Sequence, residues 1–161
     1  METIDSVVVY WDTSAILSLL CKDAFSPLAL SWAEVEGIHL MSTLAWAESH
    51  AVIARMHKEG VLSNQSREYI GDALRQGVWR RMNGLPDWDT TQRLGQKWSL
   101  RGADLWHLAA AKSLQQDLPE LMLLTFDEKL QVAAQKEGLG PGIAEAIGCH
   151  THRPQDCSKL F

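Results

Sequence analysis

The run Leu121-Met122-Leu123-Leu124-Thr125-Phe126 has almost no polar face to show to water. It is too short to cross a bilayer, so the remaining solution is an interior strand covered on both sides, as in a parallel sheet packed between helices. Ile4 to Trp11, with three consecutive valines, poses the same constraint near the start of the chain. It stops at Asp12-Thr13-Ser14, polar residues suited to capping the apolar helix that follows. Strand, polar turn and helix is the opening of an α/β unit.

Between these strands the pattern is mostly helical. Pro27 to Glu36 is expected to form a short helix ended by Gly37, and Ile38 to Met41 a short strand. Thr43 to Glu59 and Ser63 to Gly77 follow as helices, the first with Leu44, Ala47, Ala51 and Ala54 on one stripe and Glu48 and Arg55 on a neighbouring face. Val78 to Asp89 reads equally as a short strand or a helix end. Thr90 to Trp98, Ala103 to Gln116 and Asp127 to Glu137 complete the helices, with Asp104 in the first turn of the second. One domain is expected from 161 residues, over positions 1–140, with 141–161 as a C-terminal extension.

Composition narrows the class further. With 46% hydrophobic and 22% charged residues the chain is expected to fold, and no apolar stretch is long enough for a membrane helix. The acidic opening is unlike a secretory signal, and three cysteines without repeating spacing do not suggest a disulfide framework; both point to the cytoplasm. Net charge is −5, so any nucleic-acid contact must come from a local basic patch or from bound metal.

In parallel α/β sheets ligands bind beyond the carboxyl ends of the strands. Asp12 and Asp127 each follow a strand-like run directly, Asp104 begins a helix that reaches the same edge, and Glu48 projects over it from the preceding helix. Four carboxylates in one hollow repel one another unless a cation compensates them, and oxygen-only ligands suit Mg²⁺ or Mn²⁺. Such a site activates water for attack on a phosphodiester, with Asp12, Asp104 and Asp127 as ligands and Glu48 as a further ligand or as a base. Each acid also has a plain structural role, as helix cap, helix-start residue or solvated helix carboxylate.

The ordered set of Asp12-Thr13-Ser14, Ala47-Glu48-Ser49, Leu100-Arg101-Gly102-Ala103-Asp104-Leu105-Trp106-His107 and Thr125-Phe126-Asp127 closely resembles the PIN-domain ribonucleases over about residues 4 to 138. It looks closest to the toxin component of VapBC-type toxin/antitoxin pairs. The resemblance implies a three-layer α/β/α sandwich with a central, mostly parallel sheet. It also implies Mg²⁺- or Mn²⁺-dependent endonuclease cleavage of single-stranded or structured RNA, a homodimer, and neutralisation by a cognate antitoxin. The alternative is a PIN-like module that binds RNA or protein without cleaving.

Ser14 and Thr125 are candidates to orient Asp12 and Asp127 by hydroxyl hydrogen bonds, and Arg55 and Arg101 to contact phosphates. His107 reads as a packed histidine, and the seven tryptophans as core or dimer packing. A dehalogenase-type phosphatase would need a second acid where Ser14 stands, and a receiver domain would need a paired acidic cluster and a late lysine in another order. Two departures from the family pattern stand out. Leu139 to Ile147 is too rich in glycine and proline for the usual last strand, and the chain continues past the usual finish through Cys149-His150-Thr151-His152-Arg153, a tail that lacks the spacing of a zinc site.

Overall fold

The computed structural model describes residues 7–140. Within them the order is β1 (Val7–Trp11), α1 (Thr13–Leu20), α2 (Ser26–Ala33), β2 (Gly37–Ser42), α3 (Thr43–Lys58), α4 (Asn64–Gln76), β3 (Arg80–Met82), α5 (Trp88–Lys97), α6 (Gly102–Leu114), β4 (Leu121–Leu124) and α7 (Glu128–Lys136). The four strands form one sheet in the order β3-β2-β1-β4, and every pairing is parallel. β1 is central, with Val8 opposite Ile38 on one side and Leu121 on the other.

The period-two alternation of β1 divides the core. Val8 and Tyr10 point to a cluster formed with Leu94, Leu108 and Leu130, which brings α5, α6 and α7 onto one face. Val9 and Trp11 point the other way, to Ile16, Trp32, Ile53 and Leu74 from α1 to α4. The result is the three-layer α/β/α arrangement. The near-total burial of β1 and β4 accounts for their apolar character, since each such side chain contributes about 1.5–3 kcal/mol on leaving water. Leu108→Ala would forfeit about 2–5 kcal/mol through transfer and cavity terms.

The ambiguous segment from Val78 to Asp89 resolves as the short strand, not as a helix end, and the next helix opens two residues before the expected Thr90. Trp79 is buried edge-to-face against Trp11, Arg80–Met82 forms a short edge strand, and α5 begins at Trp88 under an Asp87 cap. The edge strand carries exposed Arg80 and Arg81, the kind of charge that keeps an open edge from pairing with another chain.

The second helix ends at Ala33, short of the expected Glu36. Asp127 stands as the N-cap of α7, one residue outside the helix it was expected to open. α7 closes through Gly138 at φ +74°, after which the buried Leu139 accepts a hydrogen bond from the Leu123 amide on the free side of β4. The rest of the expected break at Leu139 to Ile147, and the Cys149 to Phe161 tail, lie outside the described residues. Among the described residues no helix is long and apolar enough to cross a membrane.

Candidate active site

The carboxyl ends of β1, β2 and β4 lie side by side, and each leads into a capped helix. The Asp12 amide donates to the Leu124 carbonyl (3.1 Å), which ties the end of β1 to the end of β4. Asp12 caps α1, Ser42 caps α3 and Asp127 caps α7, each side chain accepting from an amide of its helix. Capping thus fixes two of the four acids, while Asp104 sits free of any cap in the first turn of α6.

Asp12 is buried and fully engaged. Its Oδ1 accepts the Ala15 amide (2.9 Å) and the Ser14 hydroxyl (2.7 Å), and its Oδ2 accepts the Thr125 hydroxyl (2.7 Å). Burial pushes its carboxyl above the usual range in spite of these donors and the charge of His107. Ser14 and Thr125 therefore serve the same acid. Thr125 was expected to orient the Asp127 carboxylate, but it donates to Asp12 and accepts the Asp127 amide (3.1 Å) because that amide turns back over the strand end. Ser14 also accepts the Phe126 amide (2.9 Å), so the two hydroxyls brace the β1–α1 turn against the β4–α7 turn.

Glu48 is half-buried on α3 and accepts hydrogen bonds from the Thr13 hydroxyl and from His107 Nε2 (3.1 Å). A carboxylate only accepts, so Nε2 carries the proton; on the other side of the ring, His107 Nδ1 is hydrogen-bonded with the Tyr10 hydroxyl (3.0 Å). The hydrogen bond from His107, opposed by burial and helped by Thr13, holds Glu48 below the usual carboxylate range. His107 is packed as expected, but it also links Tyr10 to Glu48.

Asp104 and Asp127 face a cleft of about 460 Å³ whose walls include Phe25, Arg101, Phe126 and Lys129. Asp104 receives no hydrogen bond among the described residues, and Asp127 receives one, from the Leu130 amide to Oδ1 (2.9 Å). Burial and then the Asp127 charge raise the Asp104 carboxyl, with Glu48 adding to the rise and Arg101 and His107 opposing it. Asp104 thus feels the charges of Asp127 and Glu48, and His107 acts on Asp12, Glu48 and Asp104 alike.

Arg101 reaches the cleft. Arg55 is exposed further along α3 and lines no part of it. A second hollow of about 490 Å³ between α3 and α4 holds Arg67 and Arg75 and none of the four acids.

The donor chemistry fits a hard divalent cation: all-oxygen groups, two of them raised by burial and one of those also by a like charge. As the side chains stand, no group of three or more His, Cys, Asp or Glu among the described residues is gathered closely enough to surround an ion. Asp104 and the second oxygen of Asp127 are the acceptors left open toward the cleft.

Sequence reasoning passed over Tyr10, Phe25 and Lys129, and took Thr13 as a capping residue and not as the Glu48 partner it is. The spacing of His107 three residues after Asp104 was the available signal for the histidine link; Phe25 and Lys129 gave none, since they reach the cleft through tertiary folding alone.

An all-parallel sheet covered on both faces, with acidic side chains at the carboxyl edge, defines an α/β/α domain built for ligands at that edge. The model of the PIN domain family matches residues 9–136, and the chain belongs to that family. No curated protein sequence matches it significantly.

Solved structures share the fold at low identity. PAE2754 from Pyrobaculum aerophilum superposes with a TM-score of 0.58 at 15% identity, over 80% of this chain and 81% of that one. The Mycobacterium tuberculosis toxin VapC20, which cleaves the sarcin-ricin loop, gives 0.54 at 15% over 78% and 94%. FitAcB from Neisseria gonorrhoeae gives 0.54 at 18% over 79% and 93%.

Proposed function

We propose that this chain is a metal-dependent endoribonuclease that acts in the cytoplasm as the toxin of a type II toxin/antitoxin pair, working as a homodimer. The observation that supports the reading is the position of Asp12 and Asp127 at the carboxyl ends of neighbouring parallel strands, with Asp127 lining one cleft together with Asp104 and Arg101. Membership of the PIN domain family and the shared fold of a toxin that cleaves the sarcin-ricin loop support it.

Asp104 and Asp127, with Asp12 and Glu48 behind them, would hold Mg²⁺ or Mn²⁺. A divalent cation supplies the positive charge that a phosphodiester requires in an acidic cleft, and it acidifies water. The protein's own part is orientation. Asp12 is fixed by three donors, so its position is set before any ligand arrives. Glu48, kept ionised by His107 and Thr13, can accept a hydrogen bond from water and orient it for attack. Arg101 stands close enough to the acids to steady a phosphate in the cleft.

The test is incubation of the purified chain with a mixed RNA pool in Mg²⁺, Mn²⁺ or chelator, beside Asp104→Asn. Cleavage is expected only with metal and only in the unsubstituted protein. Cutting that persists in chelator or in the variant overturns the mechanism, and RNA binding without cutting under every condition assigns the chain to the non-cleaving alternative.

A further inference from the structure

Phe25 precedes α2 and is 47% exposed, yet it is not loose. Its amide donates to Asp23 Oδ1 (2.8 Å), and Asp23 is in turn held by the Ser18 hydroxyl (2.7 Å) and by its own amide's bond to Ser26 (2.8 Å). One face of the Phe25 ring lies on Phe126, with centroids 5.0 Å apart and planes within 9° of parallel. Phe126 packs against the core beneath the sheet, and its amide is pinned by Ser14, the residue that also holds Asp12. A rigid two-ring stack therefore rises from the active edge, and Phe25 forms its outer, half-open layer.

The surroundings of this ring are charged as well as apolar. Phe25 and Phe126 share the cleft of about 460 Å³ with Leu100, two cations (Arg101 and Lys129) and three acids (Asp104, Asp127 and Glu128). A protein anchor would be expected among uncharged neighbours, whereas a flat aromatic beside two cations and three acids offers what a nucleotide and its divalent counter-ion need. The ring can take the face of a base, and the cations its phosphates. Bases within a duplex are already stacked and do not present a face, so only an unpaired nucleotide satisfies the arrangement.

We propose that Phe25, supported by Phe126, is the platform on which one unpaired base of the RNA stacks, so that the phosphate next to it lies over Asp104 and Asp127. The proposal rests on the ribonuclease reading and adds a specificity element to it. Its consequence is a preference for strands or loops over uninterrupted duplex.

The test measures binding in the full chain carrying Asp104→Asn, so that nothing is cut. The probes are a short fluorescent single-stranded oligoribonucleotide and the same strand made of abasic riboses. Adding Phe25→Ala is expected to weaken binding of the normal strand about tenfold, the lower end of what base–aromatic stacking supplies, and to leave the abasic strand unaffected. Phe25→Trp is expected to keep full affinity, and unchanged thermal unfolding of both variants confirms an intact fold.

Equal losses on both strands, or none on either, overturn the platform. So does a Phe25→Ala protein that binds RNA normally but sediments as a smaller species, which assigns the ring to a protein contact. If the normal strand shows the Phe25 effect while the unsubstituted chain cuts no RNA, the platform stands and the nuclease reading falls. If no RNA binds at all, both fall together.

Discussion

Asp12 and Asp104 stand at the same edge of one sheet and are held by opposite means. Asp12 is buried, caps a helix and accepts three hydrogen bonds; Asp104 borders an open cleft and accepts none among the described residues. Burial raises both carboxyls, but only Asp104 is pushed further by a neighbouring acid, Asp127. The difference teaches a division of labour. One half of the quartet is organised by the protein in advance, and the other keeps its charge unsatisfied, available to something that is not protein. A site made wholly in the first way would have little left to bind with, and one made wholly in the second would fly apart by repulsion.

Substitution at Asp104 should break the comparison most sharply. Asp104→Asn is expected to lower RNA cleavage about a thousandfold or more, ~4 kcal/mol of barrier, while leaving thermal stability in chelator unchanged or slightly higher. The stability half follows from the structure: the change removes a charge that Asp127 and burial both disfavour, and it breaks no hydrogen bond. A variant that loses both activity and fold would mean that Asp104 is structural after all.

Asp12 should answer in the other currency. Asp12→Ala removes the α1 cap and strands the hydroxyls of Ser14 and Thr125, so a loss of about 2–4 kcal/mol in denaturant unfolding is expected. Asp12→Asn keeps one acceptor oxygen and should lose much less. Equal stability of the alanine and asparagine variants would show that the three hydrogen bonds do not organise the turn.

How much of this contrast could be read from residues alone follows the range of the interactions. β1, β4 and α6 were legible because Val7 to Trp11 and Leu121 to Leu124 are buried on both faces and α6 repeats its apolar positions at helical spacing. β3 was not, since three residues with an exposed pair carry no period, and the start of α5 was hidden because Trp88, 89% exposed, gives no apolar signal. The placement of Asp12 and Asp127 at strand ends was readable because a parallel sheet dictates its own binding edge. The partner of Thr125 was not: the choice between Asp12 and Asp127 depends on a contact 113 positions apart in sequence. The stacking of Phe25 on Phe126 was invisible for the same reason.

Glu48 sits between the two extremes, half-buried but tied to His107 and Thr13. His107→Leu should cut that tie, let the Glu48 carboxyl drift up toward its ordinary range and cost about ten- to a hundredfold in kcat with little change in KM. A loss confined to KM would place His107 in substrate binding instead. Because the leucine also leaves the Tyr10 hydroxyl without its partner, the double variant with Tyr10→Phe separates the two effects. It should recover stability without recovering kcat.

The smallest effect is a matter of sign. In chelator, Asp104 has a raised carboxyl in the folded protein, so its contribution to stability is fully present below the unfolded value of about 3.9 and is lost as pH rises through the folded value. Glu48 is lowered, so its contribution is present above its unfolded value of about 4.3 and is lost as pH falls through the folded one. Unfolding free energies measured from pH 3 to 7, roughly the span of these carboxyls, should therefore change in opposite directions in Asp104→Asn and Glu48→Gln. The first should lose the part that weakens toward neutrality and the second the part that weakens toward acid. Mg²⁺ at saturating concentration should then flatten the Asp104 part alone or first, because an ion that binds the folded state favours the ionised carboxylate. Parallel pH profiles for the two variants would erase the distinction between the acid the protein satisfies and the one it leaves open.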